Sequence, residues 1–264
     1  MTKLDRLKTI LAEMDGILVA FSGGVDSSLL LRVALEVKPG KVKAVTALLS
    51  SLPPRELEQA KKIISLLQAP HIILPVAELE IPGFSENTPE RCYYCKKELL
   101  TRILKVAEEQ GLKAVVEGSN ADDRNDFRPG MRAVAELGVR SPLQEAGLTK
   151  KEIREISRAY QLPTWDTPSL ACLASRFPYG VRITEERLAR VATGEEFLRK
   201  LGIRGFRLRD HGPVARIEVE LEQAQDIVFE NRQKINEYLK QIGYQYICLD
   251  LEGYRTGSMN EILK

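Results

Sequence analysis

Leu4, Leu7, Ile10 and Leu11 recur at helical spacing, which predicts an amphipathic helix from Leu4 to Met14. Ile17 to Phe21 is a short apolar run ending in glycines, the pattern of a buried strand, and helical spacing returns from Ser27 to Val37. Val42 to Leu48 reads as a second strand and Pro53 to Leu67 as a helix, with proline at its start where a missing N–H does no harm. His71 to Leu74 reads as a strand, Lys96 to Gln110 as a helix closed by Gly111, and Lys113 to Glu117 as a further strand.

Strands alternating with helices predict an α/β fold: a parallel twisted sheet with helices on both faces. Ligands of such sheets sit beyond the carboxyl ends of the strands, where the glycines after Phe21 fall. From Pro163 to Gly180 the periodicity fades among three prolines, which predicts a long functional loop that also links two domains. Thr184 then opens a helix with Glu185 and Glu186 in its first turn. Strands Gly205–Arg209 and Val214–Val219, a helix Glu222–Ile242 and a strand Tyr244–Leu249 complete a small α+β unit. The expected division is 1–180 for the α/β domain and 181–264 for the α+β domain.

Composition narrows the class without naming a chemistry. Hydrophobic residues make up 44% and charged residues 29%, as in an ordinary globular enzyme. The net charge of +2, with both signs interspersed, offers no strong field for nucleic acid or membrane. The N-terminal residues lack a signal-peptide core, and no apolar stretch approaches the roughly 20 residues that span a bilayer. A cytoplasmic location is expected. Four cysteines in such a chain point to metal binding, redox chemistry or catalysis, not to a disulfide framework.

The loop Ser22-Gly23-Gly24-Val25-Asp26-Ser27-Ser28 joins the first strand to a helix. Its glycines let backbone approach an anion, and hydroxyls and helix N-terminal N–H groups bind it. Asp26 would repel phosphate unless Mg²⁺ bridged the two, so it is a natural ligand for that ion. A turn that merely joins strand to helix would use some of the same residues, but sequence, position and helix start together favour phosphate. No Lys-Ser or Lys-Thr follows the glycines, so this is not the P-loop of kinases and GTPases. The loop resembles the PP-loop of the ATP pyrophosphatases, such as GMP synthetase, NAD synthetase and the tRNA thiolases. The resemblance implies a HUP-like fold and an ATP that donates AMP to a substrate oxygen, making it a good leaving group.

Cys92-Tyr93-Tyr94-Cys95 stands at the start of a predicted helix, and Cys172 lies in the proline-rich loop. A CxxC with one distant cysteine can hold a [4Fe–4S] cluster by three irons. A redox dithiol, a zinc site short of one ligand, or incidental cysteines are the other readings. Cys248 fits the last, in what looks like a buried strand. Arg176, four residues from Cys172, supplies a cation that favours a thiolate. Beside the glycine loop, such a thiolate would attack an adenylated carboxylate and expel AMP.

With Glu117 to Asp123, Cys172 to Arg176, Arg207-Leu208-Arg209 and Gly253 to Asn260 added, the chain resembles the LarE family of ATP-dependent sulfur transferases over most of its length. The resemblance implies adenylation of a carboxylate of pyridinium-3,5-biscarboxylic acid mononucleotide, followed by replacement of the activated oxygen with sulfur, in nickel-pincer nucleotide biosynthesis. It implies ATP, Mg²⁺ and a [4Fe–4S] cluster on Cys92, Cys95 and Cys172, because this chain resembles the three-cysteine form and not the form that sacrifices one cysteine. Other enzymes of that biosynthesis would be its partners, and a homo-oligomer its assembly.

Arg207 and Arg209 alternate along one strand face, which suits a substrate phosphate, although a solvated basic edge has the same spacing. The resemblance favours phosphate, assisted by Ser175 and Arg176, and suggests Glu195, Glu218 and Asp226 as an acidic, metal-binding group. Asn120 and Asp122 are expected in the nucleotide site, though a turn would use them too. His71 and His211 receive no role. The rival functions are a tRNA thiolase, which near-neutral charge disfavours, an ammonia-fed ligase, and a nucleotide-binding module without chemistry.

Overall fold

The computed structural model describes residues 1–125, 129–168, 172–220, 228–255 and 258. The chain forms two compact units, Met1–Ile81 with Glu90–Leu170, and Pro82–Pro89 with Ala171–Lys264.

The first unit carries β1 (Ile17–Ala20), β2 (Val42–Leu48), β3 (His71–Pro75) and β4 (Ala114–Val116) in the order β3-β2-β1-β4, all parallel. Its helices are α1 (Lys3–Ala12), α2 (Val25–Val37), α3 (Pro54–Leu67), α4 (Arg91–Glu109), α5 (Pro129–Glu136), α6 (Pro142–Glu145) and α7 (Lys150–Ala159). Period-two alternation sends Ile17 and Val19 into the core with Leu29 of α2 and Ile63 of α3, and sends Leu18 into a second core with Leu100 and Ile103 of α4. Both sheet faces are therefore covered, which is why these strands are almost wholly apolar. The sheet is the one expected, and β1 is its switch point: β2 pairs on one side and β4 on the other, opening a crevice beyond their carboxyl ends.

Helix α4 begins earlier than its expected start at Lys96, because Tyr93 belongs to the buried face formed with Leu100, Ile103 and Ala107. Both cysteines of the CxxC thus lie within it. Helix α7 was not expected, yet its start carries a legible signature: Thr149 accepts from Glu152 N, while Glu152 reaches back to Thr149 N at 2.8 Å.

The second unit contains α8 (Glu185–Lys200), the antiparallel pair β5 (Phe206–His211) and β6 (Val214–Val219), α9 (Arg232–Gln241) and β7 (Tyr246–Leu249), which runs parallel to β6. Thr184 caps α8 through the N–H of Arg187, as its sequence suggested. Leu198 of α8, Leu208 and Ile217 of the sheet and Leu239 of α9 share one core. Of the expected helix 222–242, Arg232–Gln241 form α9, and 221–227 lie outside the described residues. Cys248 corrects an expectation: β7 is an edge strand and this thiol is exposed, not buried.

Candidate functional site

The crevice at the carboxyl ends of β1 and β4 is a cleft of about 400 Å³. Gly24, Val25 and Asp26 line it from the glycine loop, Lys96 from α4, Glu117 to Asn120, Asp122 and Asp123 from the segment after β4, and Lys150 from α7. The loop is closed by its own hydroxyls: Ser22 Oγ lies 3.1 Å from Ser27 Oγ, and Ser27 Oγ donates to Gly24 O at 3.3 Å. Gly24 caps α2 without a side-chain acceptor, so the first-turn N–H groups remain the helix's offer to an anion.

Two glycines make this packing possible. Gly23 has φ +78°, and a Cβ there would meet Ala60 Cα at 3.0 Å. At Gly118 a Cβ would stand 3.2 Å from Ser27 N and 3.4 Å from Asp26 Cβ, so any larger residue would have to push the loop back by a few tenths of an ångström.

Of the residues expected to hold ATP, Gly24, Val25, Asp26, Asn120 and Asp122 line the cleft, while Ser22, Gly23, Ser27 and Ser28 do not. Ser28 is fully buried, and its hydroxyl has no hydrogen-bond partner among the described residues. Asn120 Nδ2 donates to Asp26 Oδ1 at 3.3 Å, and Asp122 Oδ2 accepts the backbone N–H of Lys150 at 2.8 Å.

Sequence reasoning missed two lysines that line the cleft, Lys96 and Lys150, and the carboxylate that fixes one of them. Lys150 Nζ ion-pairs with Asp26 Oδ2, and Lys96 Nζ pairs with Glu117 Oε2 at 2.9 Å. Burial raises the Glu117 carboxyl, but Lys96 and hydrogen bonds from Ser141 and Ser119 outweigh it and hold the group below the usual carboxylate range. Among the described residues the cleft thus presents more carboxylates than ammonium groups, so a polyphosphate is best received there with a cation. Mg²⁺ is commonly held by one or two carboxylates plus substrate phosphates. Asp26 fits that use, since it already accommodates a cation in the ammonium of Lys150.

In the first unit Cys92 is exposed and Cys95 half-buried within the first turns of α4; Cys172 is exposed in the second unit. Among the described residues no group of three or more His, Cys, Asp or Glu side chains is arranged to hold a metal ion.

In the second unit a short 3₁₀ turn, Leu173–Arg176, follows Cys172. Arg176 is buried and grips Glu195 with Nε at 2.7 Å and Nη2 at 3.0 Å; its Nη1 donates to Ser175 Oγ at 2.8 Å and to Cys172 O at 3.3 Å. Burial pushes the Glu195 carboxyl up, and Arg176 more than offsets it, so the group stays below its ordinary range. Arg209 is likewise buried, donating to Glu218 Oε2 at 2.6 Å and to Ser175 O at 2.9 Å. Glu195 and Glu218 are therefore arginine partners, and Asp226 lies outside the described residues.

Arg207 differs. Its guanidinium donates to Phe206 O and to the Tyr254 hydroxyl, and has no carboxylate partner among the described residues. Burial, then the neighbouring Arg176, lowers its pKa from the ordinary arginine value, the mark of cations crowded together.

The comparisons with known proteins accord with this geometry. An asparagine synthase family model matches residues 15–124, the segment carrying the glycine loop and the β4 residues of the cleft. An uncharacterised protein of Synechocystis sp. is 41% identical over 99% of this chain and 98% of its own. The pyridinium-3,5-bisthiocarboxylic acid mononucleotide synthase of Lactiplantibacillus plantarum is 36% identical over 99% of this chain and 95% of its own. An uncharacterised protein of Methanocaldococcus jannaschii is 30% identical over 96% and 98%. With the fold, the cleft and full-length identity in agreement, the chain belongs to the LarE family of PP-loop, ATP-using sulfurtransferases.

Proposed function

We propose that the protein adenylates a carboxylate of pyridinium-3,5-biscarboxylic acid mononucleotide with ATP·Mg²⁺ and then replaces the activated oxygen with sulfur, a step of nickel-pincer nucleotide biosynthesis in the cytoplasm. The observation that carries this reading is the convergence of the open α2 N-terminus, Asp26 and two lysines on one cleft, in a chain alignable end to end with the synthase. Mg²⁺ bound with ATP would supply charge neutralisation at the phosphates. Asp26 would hold it, the α2 N–H groups would bind phosphate, and Lys96 would meet the charge that develops as pyrophosphate departs.

Adenylation joins a carboxylate oxygen to the α-phosphorus and breaks the bond to pyrophosphate. A sulfur nucleophile then adds at the carbonyl carbon and AMP leaves with the oxygen. In the second unit Arg207 is the guanidinium offered to the substrate phosphate, and Arg176, joined to Ser175 and the Cys172 carbonyl, sets the turn that presents Cys172.

Cys92, Cys95 and Cys172 are the thiols offered to a [4Fe–4S] cluster, which when bound would carry the incoming sulfur. The cluster rests on their donor chemistry and on resemblance.

The test is incubation of the purified protein with ATP, Mg²⁺ and the mononucleotide, following AMP, pyrophosphate and product mass. AMP release with a product carrying sulfur in place of oxygen is expected, and Asp26→Ala should abolish release. A protein that instead co-purifies with tRNA and thiolates it would overturn the substrate, though not the adenylation. Anaerobic reconstitution followed by iron and sulfide analysis checks the cluster; iron-free wild-type protein would remove it.

A further inference from the structure

Two helix starts meet at the cleft. Asp26 lies in the first turn of α2 and Lys150 is the first residue of α7; the ammonium of Lys150 ion-pairs with Asp26 Oδ2. The position of this lysine is unusual electrically, because the amino end of a helix favours anions and disfavours cations. Helix α7 does not need it as a cap, since Thr149 and Glu152 already form the capping box. Nor does the fold depend on the ammonium to hold Asp122, which accepts the backbone N–H of Lys150 instead.

The pair is open to the cleft: the side chains of Lys150 and Asp26 keep 28% and 21% of their exposure. An ion pair with this access exchanges partners at small cost. Asp26 is also the carboxylate proposed above to meet the cation that accompanies ATP, and it cannot fully serve two cations with the same oxygen.

We propose that Lys150 is a placeholder cation. It neutralises Asp26 before nucleotide arrives, cedes the carboxylate to the divalent ion entering with ATP, and then pairs with the nucleotide's phosphates. Charge is conserved in the exchange: one lysine–aspartate pair is replaced by a metal–aspartate pair and a lysine–phosphate pair. The inference rests on the loop being an ATP·Mg²⁺ site, and it adds a residue that couples metal binding to nucleotide binding. A mere strut between α2 and α7 would have no such coupling.

The test uses Mn²⁺, whose free form is read by electron paramagnetic resonance, on the full chain with wild type, Lys150→Met and the double variant Asp26→Asn/Lys150→Met. Without nucleotide, Lys150→Met should bind Mn²⁺ roughly fivefold more tightly than wild type, and the double variant should lose that gain. With ATP present the order should reverse, Lys150→Met binding Mn·ATP roughly fivefold more weakly. Opposite signs are the signature, because loss of a strut would weaken both. Equal Mn²⁺ affinity in wild type and Lys150→Met, or weakening in both conditions, would overturn the placeholder while wild-type Mn·ATP binding still upheld the ATP site. Failure of the wild type to bind Mn·ATP would remove the ATP reading and this inference with it. Should Lys150→Met not fold, Lys150→Gln is read in the same way.

Discussion

Lys96 Nζ lies 2.9 Å from Glu117 Oε2, and this pair ties the helix that bears Cys92 and Cys95 to the segment whose next residue, Gly118, packs against the glycine loop. Glu117 is nearly buried and accepts from Ser141 Oγ at 2.5 Å and from Ser119 Oγ at 2.9 Å, whereas Lys96 still reaches the cleft. One ion pair thus orders the cleft wall and places a cation where phosphate is expected.

Lys96→Met should therefore cost twice. It leaves Glu117 buried without its countercharge, a loss of about 2 kcal/mol after allowing for the lysine's partial exposure. It should also slow AMP release by about 100-fold if the ammonium meets phosphate. Lys96→Met/Glu117→Gln should recover most of the denaturation midpoint but not the rate. Recovery of both would reduce Lys96 to a structural partner.

Gly118→Ala probes the close approach directly. The new methyl would meet backbone at Ser27, which cannot swing away, so a loss of about 2 kcal/mol and a KM for ATP raised about tenfold are expected. Urea unfolding and initial rates read the two effects, and an unchanged KM would show that the strand end and the loop can part without harming the nucleotide site.

Arg207 and Arg209 should respond differently although they share a strand. Arg209→Ala strips one of two countercharges from the fully buried Glu218, which keeps Arg216 at 3.1 Å, and about 2 kcal/mol of stability should go with it. Arg207→Ala strands no carboxylate, so its stability should fall by only about 1 kcal/mol while KM for the phosphorylated substrate rises at least about tenfold. A substrate KM unmoved by Arg207→Ala would remove this residue from the phosphate site.

Asp210 sets an acid limit on the second unit. It is completely buried and accepts from Arg187, from Arg190 at 2.6 Å and from the Tyr244 hydroxyl at 3.1 Å. Burial raises its carboxyl, and the two arginines with the Gly212 N–H more than reverse that, leaving the folded pKa below the unfolded one. Such a group contributes stability that is fully present above the unfolded pKa, about 4, and is lost as pH falls through the folded value. Melting temperature should drop steeply below about pH 4 in the wild type. Asp210→Asn should melt lower at pH 7 and show a shallower acid limb; an identical limb would assign the acid sensitivity to other carboxylates.

Much of this was legible in the sequence because it is local. Helical spacing in α1 to α4, apolar runs in β1 and β2, the glycine loop between β1 and α2, and Thr184 before α8 each follow from neighbours within a turn or two. The placement of Asp26 in the first helical turn needed nothing beyond that order of strand, glycines and helix. Arg207 and Arg209 on one strand follow from the same local pattern.

Tertiary structure decided the partners. Lys150 meets Asp26 across 124 positions, and Lys96 meets Glu117 across 21, so no periodicity could announce either pair. It also divided residues that looked alike: Ser28 is sealed in the core while Asp26 lines the cleft, and Arg209 is bound to Glu218 while Arg207 has no such carboxylate among the described residues. Cys248 is exposed because it alternates with Ile247 and Leu249, which pack on the core, and nothing described covers the other face of β7, a matter of packing that an apolar run does not encode. A sequence pattern reports how the backbone repeats and which side chains share a face. What covers that face, and which charge arrives to meet a buried carboxylate, depends on where distant segments pack.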